Sequence, residues 1–407
     1  MKSPPTRERE TWKLVGAFAA FGLFWGGFAA ALPAIKEATG TTEGTLGLAL
    51  FCIPSAALPA MLLSGPWADR YGRRMLAPAL AAFALVTVGP GLASSGLGLV
   101  PAFVALGITS GGLEVAVNGA AAAMEAERGE RIMGKVHAGF SLGGLVSSVS
   151  VGLAREAGAH PALLLGSIGL IIGAIAWWNR GAPGPPARQG GRRGRMHFTR
   201  PLVLLGSLCA LTFCIEAGLE GWSAIHLEDT LGASPAVGGL GPGLFMAAMV
   251  LGRVAAQSFG DRFKDTHLLV ASGLVGAIGI ELAAVAQNPW AALVGFWLAG
   301  LAISASAPTI LSLTGRSSPP EERGTSMAAV TSIAYLGFFV SPAVVGGIAD
   351  LAGLRVGLAA LGGIGIVLAV LAPRVGRLKL RAVGQASGGV REPLASSSTG
   401  KKGVSTK

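Results

Sequence analysis

Long runs without a single charge set the limits on what this chain can become. No Asp, Glu, Lys or Arg occurs between Gly44 and Ala68, and none between Met75 and Leu113. A helix needs roughly 20 apolar residues to cross the hydrocarbon of a bilayer, so the first run spans it once and the second has length for two crossings. With no water there to satisfy backbone N–H and C=O groups, such a run must close its hydrogen bonds internally, as a helix. Charges gather between the runs, and over all 407 residues only 13% are charged, against about 25% in soluble domains. The pattern excludes a soluble globular chain and predicts an all-α polytopic membrane protein. Twelve transmembrane helices fit, over 14–35, 45–66, 75–94, 98–124, 133–154, 161–179, 201–226, 235–257, 268–286, 290–314, 325–350 and 356–373.

The second half repeats the first. Asp261-Arg262-Phe263 echoes Asp69-Arg70-Tyr71, and the same offset pairs Gly40 with Gly232 and Gly47 with Gly239. A nearly identical offset pairs Gly152 with Gly346 and Glu156 with Asp350. This is the signature of a parallel repeat, two six-helix bundles in tandem. The expected organisation is an N-terminal segment 1–13, a first bundle 14–180, a basic Gly- and Pro-rich linker 181–200, a second bundle 201–373, and a disordered tail 374–407. The run 14–35 exceeds the core of a cleaved leader and reads as a retained helix.

Charge gives the orientation. Counting turns from a cytoplasmic N-terminus leaves all of the 32 Lys and Arg except Lys36, Arg155 and Arg355 on the cytoplasmic side or at that end of a helix. This positive-inside bias fixes an even number of spans and places both termini in the cytoplasm of a plasma or bacterial inner membrane. The net charge of +11 therefore belongs to the membrane surface, and no nucleic acid is expected as a partner. Cys52, Cys209 and Cys214 lie in apolar runs at no metal-ligand spacing and read as small hydrophobes.

The turn between the second and third spans, Gly65-Pro66-Trp67-Ala68-Asp69-Arg70-Tyr71-Gly72-Arg73-Arg74, is read as a short polar hairpin. It resembles the signature loop of the major facilitator superfamily, G-x-L-a-D-r-x-G-r-k-x, with Pro66 and Trp67 replacing the usual middle residues. The resemblance covers about residues 12 to 380 as architecture. It implies two bundles that rock about a central site, with Gly65, Asp69, Arg70, Gly72 and Arg73, and their echo Asp261 and Arg262, as gating loops that bond across the cytoplasmic side.

The candidate site is built from charges inside spans. Glu114 lies near the middle of the fourth, with Asn118 four residues on and thus on the same helical face. An ionisable group at mid-bilayer costs at least about 2.5–3.5 kcal/mol, so that face must turn from lipid. Two roles fit Glu114, a proton carrier facing the central cavity and a structural hydrogen bond to a neighbouring helix. Glu216 and Glu220 stand one turn apart in the seventh span beside Trp222; two carboxyls so close repel when both are ionised, which couples their titrations. Gly218 and Gly221 there would let the helix bend or unwind. Trp25 is either core packing or an aromatic wall for a substrate, Tyr335 is a possible ligand donor, and His137 serves as gate, relay or interfacial hydrogen bond. Arg253 is expected to pair with the Asp261 loop or with another helix end.

Glu114-Val-Ala-Val-Asn118, His137-Ala-Gly-Phe-Ser-Leu-Gly and Glu216 with Glu220-Gly-Trp222-Ser resemble the branch near the proton-coupled fucose permease, which implies a role in proton coupling for Glu114. The acid expected in helix 1 is absent, Phe24 and Trp25 standing there. The preferred function is secondary transport of a small molecule such as a sugar, coupled to protons, by a monomer. Export of a metabolite or drug-like molecule, or a membrane sensor on a transporter scaffold, are the alternatives. Scattered His, with no Ser/His/Asp set, metal cluster or phosphate loop, argue against an enzyme, a cofactor or a metal.

Overall fold

The computed structural model describes residues 4–128, 130, 132–180, 198–259, 262–318 and 322–377. Residues 181–197 of the expected linker and the part of the expected tail beyond Arg377 lie outside the described residues. Among the described residues, twelve helices are long and apolar enough to cross a membrane: α1 (Glu8–Thr39), α2 (Glu43–Ala68), α3 (Gly72–Leu92), α4 (Gly96–Glu125), α5 (Met133–Glu156), α6 (Pro161–Trp178), α7 (Arg200–Thr230), α8 (Pro235–Ala256), α9 (Asp265–Val285), α10 (Pro289–Ser317), α11 (Thr325–Ala352) and α12 (Leu354–Gly376). We call the end of the bundle where α1 begins the near face and the end where it finishes the far face.

Local chemistry sets the helix ends. The Thr42 hydroxyl accepts from the Thr45 amide at the start of α2, and Asn288 Oδ1 accepts from the Ala291 amide ahead of Pro289 at the start of α10. Each satisfies an amide that the first turn leaves without a partner.

The pairing of helices follows the repeat. In the first half α1 packs on α5, α2 on α4 and α3 on α6; in the second, α7 packs on α11, α8 on α10 and α9 on α12. The halves meet along α2 against α11 and α5 against α8. Inside a bilayer the hydrophobic effect does not drive helices together, so close backbone approach must. Small residues supply it: a Cβ at Gly22 or Gly26 would run into the carbonyls of Phe140 and Gly144 on α5, and one at Gly337 into that of Ala210 on α7.

The repeated residues do matching jobs. Gly40 and Gly232 both take positive φ, 61° and 66°, at the ends of α1 and α7, where only glycine is unstrained. Gly47 sits against Gly346, and its counterpart Gly239 against Gly152, the counterpart of Gly346. Asp350 accepts from the Gly44 amide at 2.8 Å and Glu156 from the Ala236 amide at 2.9 Å. Each acid at the end of one helix thus caps the start of a helix in the other half.

Three expectations are corrected. Gly65 to Tyr71 is the last part of a helix, Glu43–Tyr71, and not a hairpin; the reversal falls on Gly72–Met75, a short 3-10 turn. Gly72 carries the reversal, with φ 52° and ψ −134°, a conformation essentially reserved for glycine. The seventh span does not unwind at Gly218 and Gly221; it stays helical to Ile225 and loosens only in a π-turn, His226–Thr230. Gly218 has a packing role instead, since a Cβ there would meet Leu361 and Ser341. The first helix begins at Pro4, and its part long and apolar enough to cross a membrane at Glu8, both before the expected residue 14.

Candidate functional site

Glu114 projects from α4 and crosses to the other half. The Tyr335 hydroxyl on α11 donates to Glu114 Oε1 at 2.6 Å, a short charge-assisted or carboxyl hydrogen bond away from bulk water. The Tyr335 ring is held in turn by Phe213 on α7, edge-on at 6.1 Å between centroids, and by Phe338 at 5.8 Å. Asn118 is half-buried one turn further along α4 and makes no hydrogen bond among the described residues. Trp25 is also half-buried, with its ring edge-on to Phe21, Phe24 and Phe28 of its own helix.

A second set lies between α7 and α8. Glu216 is buried, and Arg253 of α8 approaches its Oε1 to 3.9 Å, an ion pair too long to be a hydrogen bond. Glu216 Oε1 has no hydrogen-bond partner. The charge of Arg253 acts on Glu216, on Glu220 and on His137, which stands on α5 across the interface. The Phe18 ring stacks edge-on to His137 at 4.8 Å. Trp222 is completely buried, and its indole Nε1 has no partner. Its ring tip faces the backbone of Gly346 on α11. Among the described residues Arg253 therefore pairs with a candidate carboxyl, where the sequence reading sent it to the Asp261 loop or another helix end.

The sequence reading missed a third set, at the far face. Arg155 of α5 makes a two-pronged ion pair with Glu228 of α7, at 2.7 and 2.8 Å, and also donates to the Ala30 carbonyl at 2.6 Å. Lys36 of α1 bridges Glu43 and Asp229, at 2.8 and 2.7 Å. The Ser148 hydroxyl donates to the Gly239 carbonyl at 2.6 Å. Arg355 donates to the carbonyls of Ala284 and Ala286 at the end of α9. A signal was available: Lys36, Arg155 and Arg355 are the three basic residues that the charge count left on this face. A cation kept against a strong charge bias has a local task, and here two of the three tie the halves together.

At the near face, Arg73 is buried and reaches Glu10 of α1 at 3.4 Å, while Arg128 reaches the same carboxylate at 2.6 Å. The signature turn is thus tied to the start of the first helix within its own half. Arg70 is exposed, its guanidinium 5.5 Å from the centre of the Tyr71 ring, and Gly65 is half-buried within α2. Arg262 is exposed. The side chain of Asp69 and the whole of Asp261 lie outside the described residues. Those residues hold no group of three or more His, Cys, Asp or Glu able to bind a metal ion.

Comparison with known proteins agrees with this architecture. The family model for the Major Facilitator Superfamily matches residues 14–229 and 210–398, one match for each half. An uncharacterised MFS-type transporter of Yersinia pestis is 30% identical over 350 residues, covering 84% of this chain and 89% of the relative. Among solved structures, a bacterial homologue of the human lysosomal transporter Spinster, inward-facing and occupied, superposes with a TM-score of 0.75 at 16% identity over 92% of this chain and 98% of that one. A D-xylose–proton symporter superposes with a TM-score of 0.70 at 17% identity, over 89% and 96%. The chain belongs to the major facilitator superfamily of membrane transporters, which are not enzymes.

Proposed function

We propose that this transporter moves a small solute by alternating access and couples the movement to protons through Glu114 and Glu216. The observation that carries the reading is the Tyr335–Glu114 hydrogen bond, which spans the two halves inside the membrane. An ionised Glu114 accepts that bond as a charged acceptor, whereas a protonated carboxyl either accepts it more weakly through its carbonyl oxygen or donates its own O–H to the phenol. Gain or loss of a proton at Glu114 therefore alters a contact between the halves, and a change of state there biases their relative position. Asn118, Glu220, Trp25, Trp222 and His137 are assigned to the surrounding substrate and proton path.

In this reading the near face is cytoplasmic, with both termini there, in a plasma or bacterial inner membrane. The far-face ion pairs hold the halves together on the outside, which is an inward-facing arrangement. The chain divides into segments 1–13, 14–180, 181–200, 201–373 and 374–407, and one copy suffices for transport. Asp69 and Asp261 then act when the near face closes. A sugar or related metabolite is the solute class that the likeness to a D-xylose–proton symporter favours.

The test is solute-dependent proton uptake in liposomes holding the purified protein, wild type against Glu114→Gln. Coupled flux in the wild type with uncoupled or lost flux in the variant is the expected result. Equal solute movement by both, with no proton moved, would overturn the coupling.

A further inference from the structure

Arg253 is a membrane-embedded cation whose needs the fold leaves unmet. A guanidinium carries five N–H donors, and among the described residues none of those on Arg253 is engaged in a hydrogen bond. Its nearest acid stops at 3.9 Å. The same chain shows what a settled pair looks like, since Arg155 and Glu228 close to 2.7 and 2.8 Å, the range of a two-pronged charge-assisted contact. On the other side of the gap, Glu216 Oε1 is buried without a hydrogen-bond partner. The two residues also differ in access: the Arg253 side chain is 32% exposed and that of Glu216 only 9%. Arg253 stands on α8, which lines the contact between the halves against α5, and its field reaches His137 on that opposing helix. The fork of donors is thus partly exposed and unengaged, with a more deeply buried carboxylate held loosely at 3.9 Å.

We propose that Arg253 is the substrate-binding residue of the central cavity and that the transported solute carries a carboxylate, which takes the guanidinium from Glu216. The inference rests on the transport reading above and narrows its substrate class. A planar fork with unused donors in a water-poor site recognises a planar pair of oxygens. The exchange is like for like: a carboxylate already faces Arg253, at a distance that leaves room for a better-placed one. A doubly charged group such as a phosphate would call for a second cation, and among the described residues Arg253 is the one cation whose charge acts on both Glu216 and Glu220.

The swap also fixes the charge balance. Once the solute holds Arg253, Glu216 is a buried carboxylate with no counter-ion, a state that costs several kcal/mol. A proton bound to its carboxylate removes that cost, so one proton accompanies one carboxylate and their charges cancel. The other titratable groups facing this pair are Glu220 and Cys209 on α7 and His137 on α5.

The experiment measures ligand-dependent thermal stability and liposome counterflow of the full chain with matched probes: gluconate and glucose, tartrate and threitol, lactate and lactamide. At least one carboxylate is expected to stabilise the wild type where its neutral counterpart does not. Glu216→Gln removes the internal competitor and should tighten that carboxylate about tenfold, while Arg253→Gln together with Glu216→Gln should weaken it ten- to a hundredfold, the worth of a hydrogen-bonded charge. The double variant removes one charge of each sign and so keeps the net charge of the site, and size-exclusion chromatography verifies its fold. A neutral probe bound or moved as well as its acid, or a carboxylate response that survives in the double variant, overturns the assignment of Arg253 and leaves transport standing. No counterflow of any probe by the wild type would overturn the transport reading itself.

Discussion

Tyr335 and Glu114 lie in different halves of the chain, and the phenol of one donates to the carboxyl of the other at 2.6 Å. The bond is supported from one side only. Phe213 and Phe338 fix the Tyr335 ring, whereas Glu114 depends on α4 alone and has no second hydrogen-bond partner among the described residues. A contact held firmly by one half and lightly by the other can be broken without unfolding either.

Tyr335→Phe tests whether the bond sets the balance of states. The ring contacts survive, and only the donor is lost, at a cost of about 1–3 kcal/mol to the state that contains the bond. Transport should fall by roughly tenfold, the kinetic equivalent of that loss, with little change in melting temperature. Glu114→Gln and the double variant complete a cycle, and the double variant should be no worse than the poorer single one. Strict additivity would show that the two side chains act separately.

The far-face lock makes a prediction about access. Glu228→Gln leaves Arg155, whose side chain is only 7% exposed, without its charged partner, a change worth about 3–5 kcal/mol in buried pairs. Because that pair joins α5 to α7, the loss falls on the closed far face. In a background without Cys52, Cys209 and Cys214, a cysteine placed at the buried Ser148 should react with a membrane-impermeant maleimide faster when Glu228→Gln is present. Unchanged labelling would mean that the remaining far-face contacts hold the halves unaided.

At the near face, Glu10 links Arg73 and Arg128. Glu10→Gln removes a charge from two buried guanidinium contacts and should destabilise the protein by about 1.5–3 kcal/mol, the usual worth of hydrogen bonds to charged groups. Thermal melting in detergent measures it. Glu8→Gln, at an exposed position on the same helix, is the control and should melt with the wild type.

Much of this architecture was legible because the bilayer simplifies the code: length and absence of charge alone mark each span. The repeat was legible for a stricter reason. Gly40 and Gly232 answer the same backbone need, and Glu156 and Asp350 cap equivalent helix starts, so each pair keeps its chemistry through divergence. Glu114 and Tyr335 could each be picked out as polar groups inside apolar runs, but their meeting could not be read, because it joins residues from separate halves. Arg253 was misplaced for a related reason. Its position near the end of a span suits an interfacial cation, and only the crossing of α7 and α8 turns it toward Glu216. The hairpin over Gly65–Arg74 was misread because polar residues suggest a loop, whereas the last turns of a helix emerging from the membrane are polar as well.

The glycines give a final prediction with its control built in. A Cβ at Gly107 would collide with the Ile53 carbonyl, and one at Gly337 with that of Ala210. Backbone cannot swing aside as a side chain can, so accommodating the methyl requires α2 to separate from α4, or α7 from α11. Overpacking of this kind costs about 1–3 kcal/mol. At Gly119 and Gly173 the same methyl meets nothing within 4 Å. Both of those glycines lie in helix interiors, where alanine is the better helix former by about 1 kcal/mol. Gly107→Ala and Gly337→Ala should therefore lower the melting temperature, while Gly119→Ala and Gly173→Ala should leave it unchanged or raise it. The contrast separates two reasons for a glycine-rich membrane chain. If all four variants melted alike, the glycines would reflect composition and not contact, and the helix pairing derived from them would lose its support.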